Sequence, residues 1–179
     1  MKNHKNLLMV CEGALMVALS YVLNLLPLYK MPWGGSVDLA MLPIILFCIR
    51  WGFTPGLAVC FVNGFLQFAS EGIGVDWKSI IGDYFIAYFV VAVAGLFKGK
   101  YLLATAAGFL ARFLVHYVVG ATLWAEYMPE KFFGMTMTSP WIYSILYNGA
   151  YLLPAFVLVA AAFLILARTP AGKFIKPQR

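Results

Sequence analysis

Apolar residues in this chain come in long runs broken by short polar turns, and six such runs can be drawn. The first extends from about Leu7 to Leu26 and stops at Pro27. The second, Val37 to Ile49, has Pro43 inside it, and the third, Phe53 to Ala69, follows a two-residue hinge at Trp51–Gly52. The others run from Ile80 to Phe97, from Leu102 to Trp124 and from Trp141 to Ala167. None shows the strict polar–apolar alternation of a barrel strand, so the pattern predicts membrane helices. The second run is too short for a plain crossing. At about 1.5 Å per residue it covers about 20 Å of a hydrocarbon layer about 30 Å thick, which predicts a kinked or partly crossing helix.

Composition narrows the class. Of 179 residues, 63% are hydrophobic and 11% charged, and the mean hydropathy is +0.86. An ordinary soluble domain is excluded, because its surface needs far more charge. Lys2, His4 and Lys5 ahead of the first run resemble a signal peptide. That run has no small-residue cleavage site, and further spans follow it, so it reads as a retained first helix. With no repeat, low-complexity tract or linker, residues 1–179 are expected to form a single integral membrane domain in the lipid bilayer. Cys11, Cys48 and Cys60 lie within apolar runs and form no CxxC pair. They predict buried thiols, with no disulfide and no metal site.

The formal net charge of +6 does not point to nucleic acid, because the basic residues are scattered over short loops and the chain ends. It points to orientation instead. With the N-terminus cytoplasmic, nine basic residues fall inside (Lys2, Lys5, Arg50, Lys98, Lys100, Arg168, Lys173, Lys176, Arg179) and three outside (Lys30, Lys78, Lys131). Asp38, Glu71, Asp76, Glu126 and Glu130 collect on the outer side. That bias over short loops predicts an all-α bundle of six transmembrane helices with both termini cytoplasmic.

Candidate chemistry lies in the polar groups stranded inside the apolar runs: Asp83, Arg112, His116 and Asn148. An ionisable group costs at least about 2.5–3.5 kcal/mol at the centre of a membrane helix, so each needs a partner, water or a ligand. The topology brings Asp83, His116 and Asn148 to a common level near the outer face, together with Tyr84, Trp124, Tyr143 and Tyr147, and leaves Arg112 near the midplane. Such a set suits a polar, cationic, aromatic solute. Arg112, His116 and Gly120 follow at i, i+4 spacing and share one helical stripe. His116 is a candidate donor or acceptor to the solute. Arg112 either serves the site or is neutralised structurally by Asp83 or Glu12. Asp83 can be the anionic partner of a cation, or a helix-start acid, although Asp76 and Ser79 are better placed for capping. Trp124 offers an indole face to a cation, whereas Trp77, Tyr127 and Trp141 fit an interfacial aromatic belt. Tyr143, Tyr147, Asn148 and Tyr151 crowd one side of the last helix, where Asn148 could equally bond a neighbouring helix. In the first helix, Ala14 and Ala18 give a small-residue stripe that suits either internal packing or docking of a partner membrane protein. No Walker A loop, HExxH, GxSxG or cysteine–histidine pair appears, so no enzyme and no cofactor is expected.

Taken in order, these residues resemble the thiamine-specific S component (ThiT type) of energy-coupling factor transporters, almost end to end. The resemblance rests on Ala14-xxx-Ala18, Gly34-Gly35-Ser36-Val37-Asp38 with Met41-Leu42-Pro43-Ile44, and Arg50-Trp51-Gly52. It continues through Asp83-Tyr84, Ala94-Gly95-Leu96-Phe97, Arg112-Phe113-xx-His116 with Trp124, and Tyr143 with Asn148-Gly149. It implies a membrane subunit in the bacterial plasma membrane that captures thiamine from outside. Such a subunit works with a transmembrane coupling protein and two cytoplasmic ATPase subunits, to which Ala14 and Ala18 would dock. Residue by residue, it implies ligand contacts from Asp83, Tyr84, His116, Trp124, Tyr143 and Asn148, with Arg112 in the basic position one turn before the histidine. Two departures stand out. The acid is Asp where relatives can carry Glu, and Trp33 lies about one residue from the family's first-loop tryptophan.

Two other classes compete. An S component for another vitamin would share the bundle, but a neutral solute would leave Asp83 without a charge partner. A proton-coupled carrier working alone would titrate Asp83 or His116, yet the chain is small and shows no duplicated half. An intramembrane enzyme built on Asp83 and His116 would lack any recognisable motif.

Overall fold

The computed structural model describes residues 2–32, 34–71 and 76–178, so the expectation for Trp33 lies outside the described residues. Four helices are long and apolar enough to cross a membrane: Asn3–Leu25 within α1 (Lys2–Leu25), Phe53–Ser70 within α3 (Phe53–Glu71), α5 (Tyr101–Thr122) and α6 (Pro140–Ala167). Two shorter apolar helices accompany them: α2 (Met41–Trp51) and the Ile80–Leu96 stretch of α4 (77–96). Two small antiparallel hairpins complete the fold. One pairs β1 (Tyr29–Lys30) with β2 (Ser36–Val37), and the other pairs β3 (Lys131–Phe132) with β4 (Met135–Thr136).

The short second helix sits at the centre. Ile44, Ile45, Phe47, Cys48 and Ile49 are at most 1% exposed. Enclosed by its neighbours, α2 needs no polar face, which is why its sequence is apolar from Met41 to Ile49, with Arg50 entering only in the last turn. It begins at Met41 rather than Val37. Ser36–Val37 is used in the hairpin, and the Asp38 carboxylate accepts from Ala40 N (2.9 Å) to turn the chain into the helix. It ends at Gly52, whose φ of 92° a side chain would disfavour and whose N–H bonds Cys48 O at 2.7 Å. Cys48 and Cys60 are buried with their sulfurs 4.0 Å apart, whereas Cys11 is exposed, contrary to the expectation of three buried thiols.

The fourth segment departs from a regular helix. After Asp76 caps Lys78 N (2.8 Å), Trp77–Ser79 passes into a π-helical stretch, Ile80–Ile86, then a single α turn, then a 3-10 stretch, Val90–Leu96. Gly64 of α3 lies directly on the wide turn: a Cβ there would stand 2.5 Å from Tyr84 O. α6 opens on Ser139, which caps Trp141 N (3.3 Å), with Pro140 in the first turn where its missing N–H costs nothing.

Arg50 is not a loop charge. It is buried at 7% exposure, its guanidinium grips the Glu12 carboxylate of α1 through Nε and Nη2, and its Nη1 donates to Phe174 O (2.6 Å). Gln178 N returns a bond to Arg50 O (2.8 Å), so the closing 3-10 turn, Pro170–Ile175, straps the end of α2. Glu12 is therefore committed to Arg50 and is not the counter-ion of Arg112.

Candidate functional site

A cavity of about 900 Å³ lies at the end of the bundle that carries the two hairpins. Every residue singled out from the sequence for ligand contact, other than Trp33, contributes to its wall: Asp83 and Tyr84 from α4, Arg112 and His116 from α5, Trp124 just beyond α5, and Tyr143, Tyr147 and Asn148 from α6. Gly120 completes the α5 stripe. It lets α6 approach so closely that a Cβ there would collide with Ser144 Oγ.

The polar residues form one connected relay. Arg112 Nη2 donates to Tyr88 OH (2.8 Å) and its Nε donates to His116 Nε2 (3.2 Å). His116 Nδ1 meets Asp83 Oδ1 at 2.8 Å, and Trp124 Nε1 donates to Asp83 Oδ2 at 2.9 Å. Asp83 thus pairs with Arg112 only through the imidazole between them. A carboxylate oxygen accepts more than one bond, so both oxygens keep capacity for a donor from the cavity. Trp124 lies past the end of its helix, where its N–H bonds Val119 O, and its ring packs on Tyr127 with centroids 5.3 Å apart. Tyr127, read from sequence as a belt residue, belongs to the cavity wall.

Asn148 is a helix-to-helix bracket. Its amide nitrogen donates to His116 O (3.3 Å) and to Ser144 O (3.0 Å), while its carbonyl accepts from Tyr151 OH (2.9 Å). Ser144 Oγ donates to Tyr117 O (2.8 Å), so α5 and α6 are stitched at two levels. The roof is the first hairpin. Gly35, at φ 82°, rests on the Tyr151 ring so closely that a Cβ would come within 2.6 Å of it, and Gly34 sits over Tyr147 OH. Phe132 of the second hairpin meets Tyr143 edge-on at 5.1 Å.

Asp38 and Tyr88 were not singled out from the sequence. Asp38 is buried at 8% exposure, lines the cavity and accepts from Ser36 Oγ (2.6 Å). Its place at the start of the second apolar run was its signal, but there it reads as one of the acids collected on the outer side. Tyr88 follows Asp83 by five residues. On a regular helix that spacing turns the side chain about 140° away. The π turn, with its i→i+5 bonding, brings the two to one cavity. Among the described charged residues of the wall, Lys30 is exposed, leaving Asp38, Asp83 and Arg112 inside: two negative charges against one positive. Among the described residues no three His, Cys, Asp or Glu side chains gather as a metal would require.

Comparisons with known proteins agree on one family. The family model described as thiamine transporter protein (Thia_YuaJ) matches residues 10–175. The chain is 29% identical to the thiamine transporter ThiT of Bacillus subtilis (strain 168), with 100% of both chains covered. It is 25% identical to the thiamine transporter ThiT of Lacticaseibacillus paracasei, over 98% of this chain and 94% of that one. In fold it matches a solved structure of ThiT from Listeria monocytogenes with a TM-score of 0.83 at 24% identity, covering 97% of this chain and 100% of that one. With several apolar helices of spanning length, it is a multi-pass membrane protein whose role is transport rather than catalysis. The chain belongs to the thiamine transporter protein family.

Proposed function

We propose that this chain is the thiamine-binding membrane subunit of an energy-coupling factor importer. In this reading it crosses the bacterial plasma membrane six times with both termini cytoplasmic, and its hairpin-roofed cavity faces outward. The loop charges support that orientation even with Arg50 removed from the count, because the remaining basic loop residues still favour the side that carries the termini. One observation carries the functional reading: a carboxylate, Asp83, is bonded to the edge of an indole, Trp124, within one enclosed wall. Thiamine joins a permanently cationic thiazolium to an aminopyrimidine rich in donors and acceptors. The indole face and the excess of buried negative charge suit the cation. Asp83, Tyr84, Tyr143, Tyr147 and Asn148 offer polar atoms to the pyrimidine and the hydroxyethyl arm, with Arg112 and His116 supporting Asp83 from behind.

Ala14 and Ala18 are exposed on α1, consistent with a face offered to a transmembrane coupling protein that answers to two cytoplasmic ATPases. No Walker A loop occurs in this chain, and in this reading the ATPase partners, rather than a gradient, supply the energy for uptake. Titrating the purified protein with thiamine, followed by calorimetry and tryptophan fluorescence, tests the reading. One saturable site with quenched emission is expected. Trp124→Phe should reduce the quench and weaken binding by about 0.5–2 kcal/mol, the range of a desolvated cation–π contact. Saturable binding of riboflavin or biotin without thiamine would hand the cavity to another solute.

A further inference from the structure

We infer that Arg112, seated by Tyr88, is a positioning residue that keeps His116 singly protonated: its N–H occupies the Nε2 lone pair while the Nδ1–H points at Asp83. The inference rests on the site reading above and assigns a task to two side chains that the binding proposal leaves in support. A guanidinium donates through all five of its N–H groups and accepts through none. Arg112 Nε lies 3.2 Å from His116 Nε2, so that ring nitrogen has to present its lone pair. The ring proton is then on Nδ1, 2.8 Å from Asp83 Oδ1, and the imidazole is a neutral donor to the carboxylate.

Arg112 is itself held. Its Nη2 donates to Tyr88 OH (2.8 Å), and its guanidinium carbon stands 4.2 Å from the Tyr88 ring centroid. The fork is therefore clamped at both ends, something a lysine ammonium on a flexible stem could not reproduce. The other groups around the imidazole do not compete for Nε2. Tyr151 of α6 meets the ring edge-on with centroids 6.5 Å apart and gives its hydroxyl to Asn148, while Asn148 bonds the His116 carbonyl. The two ring nitrogens are thus both engaged inside the protein. His116 acts on the ligand through Asp83, holding one carboxylate oxygen while Trp124 holds the other.

The chain has two histidines, so replacing His4, on the exposed first turn of α1, leaves a single reporter. In ring-¹⁵N-histidine-labelled His4→Gln protein, NMR should find one neutral tautomer with Nδ1 protonated and Nε2 bare. In Arg112→Met, Nε2 is free to take a proton while Nδ1–H stays on the Asp83 carboxylate, so the doubly protonated imidazolium should appear, with a smaller share of it in Tyr88→Phe, which keeps the ring but loses the hydroxyl. Thiamine dissociation constants should rise about tenfold for Arg112→Met and about threefold for Tyr88→Phe, in keeping with loss of hydrogen bonds to a charged group. A wild-type ring protonated on Nε2, or an Arg112→Met ring still wholly in the Nδ1–H form, overturns the inference. If Arg112→Met does not fold, the wild-type spectrum and Tyr88→Phe decide. The tautomer is read without ligand. A protein that holds it yet fails to bind thiamine would therefore sink the functional proposal and leave this one standing.

Discussion

At the scale of single residues, the two acids of the cavity divide the electrostatic work. Asp83 accepts from His116 and Trp124, so Asp83→Asn would set an amide N–H against one of those donors as well as removing charge. An uncharged analogue should lose affinity through the disturbed wall, and thiamine should lose more, about 2–5 kcal/mol, the usual cost of truncating one member of a desolvated charged pair. Asp38 is different. Its partners are the Ser36 hydroxyl, which can turn to accept, and Ala40 N, which an asparagine carbonyl can still serve. Asp38→Asn should therefore keep the local fold and weaken the cation selectively, by about 2 kcal/mol for charges about 8 Å apart at an effective dielectric near 20. Calorimetry with both ligands on both variants reads the difference. Equal penalties for charged and neutral ligand at Asp38 would remove it from the electrostatics of the cavity.

At the scale of elements, phase explains both what the sequence revealed and what it hid. The α5 stripe Arg112–His116–Gly120 and the crowd of tyrosines on α6 obey ordinary helical spacing, and the structure delivers them to one wall as that spacing predicts. α4 does not obey it. Nothing in Ile80–Ile86 announces a π turn, so Tyr88 was invisible by counting, and so was the tight approach of Gly64. Gly64→Ala should force the two segments apart and destabilise the protein by about 1–3 kcal/mol, the usual cost of overpacking, measured as a lower unfolding midpoint in detergent. A midpoint unchanged from wild type would mean that α3 yields freely there. On α1, Ala14→Leu or Ala18→Leu should abolish uptake in cells while thiamine binding by the purified subunit stays near normal, because both positions are exposed. Parallel loss of binding and uptake would assign the stripe to packing within the bundle.

Across the whole molecule, hydrophobic runs gave away the helices, but charge misled wherever it was buried. Arg50 reads as a loop charge and Asp38 as an acid of the outer side; each instead turns inward at an end of α2, because that helix is enclosed and the charges at its ends are drawn in with it. Partners so distant in sequence cannot be read from local spacing. The Arg50–Glu12 pair should respond as buried ion pairs do. Arg50→Met alone should cost about 3–5 kcal/mol, and Arg50→Met with Glu12→Met much less, since the second change removes the stranded carboxylate. Thermal unfolding of the two variants checks this, and equal losses would show that the pair acts only through the Phe174 carbonyl.

Arg50 also sets an order of events. Its partners Glu12 and Phe174 stand on opposite sides of it in the chain, the second 124 residues downstream, and Gln178 closes the contact later still. A chain entering the bilayer as it is synthesised can form the first pairing early. The guanidinium gains its bond to the Phe174 carbonyl only once that residue has been made. Until then the end of the central helix lacks its strap, and a protein truncated before Phe174 would be caught permanently in that unfinished state.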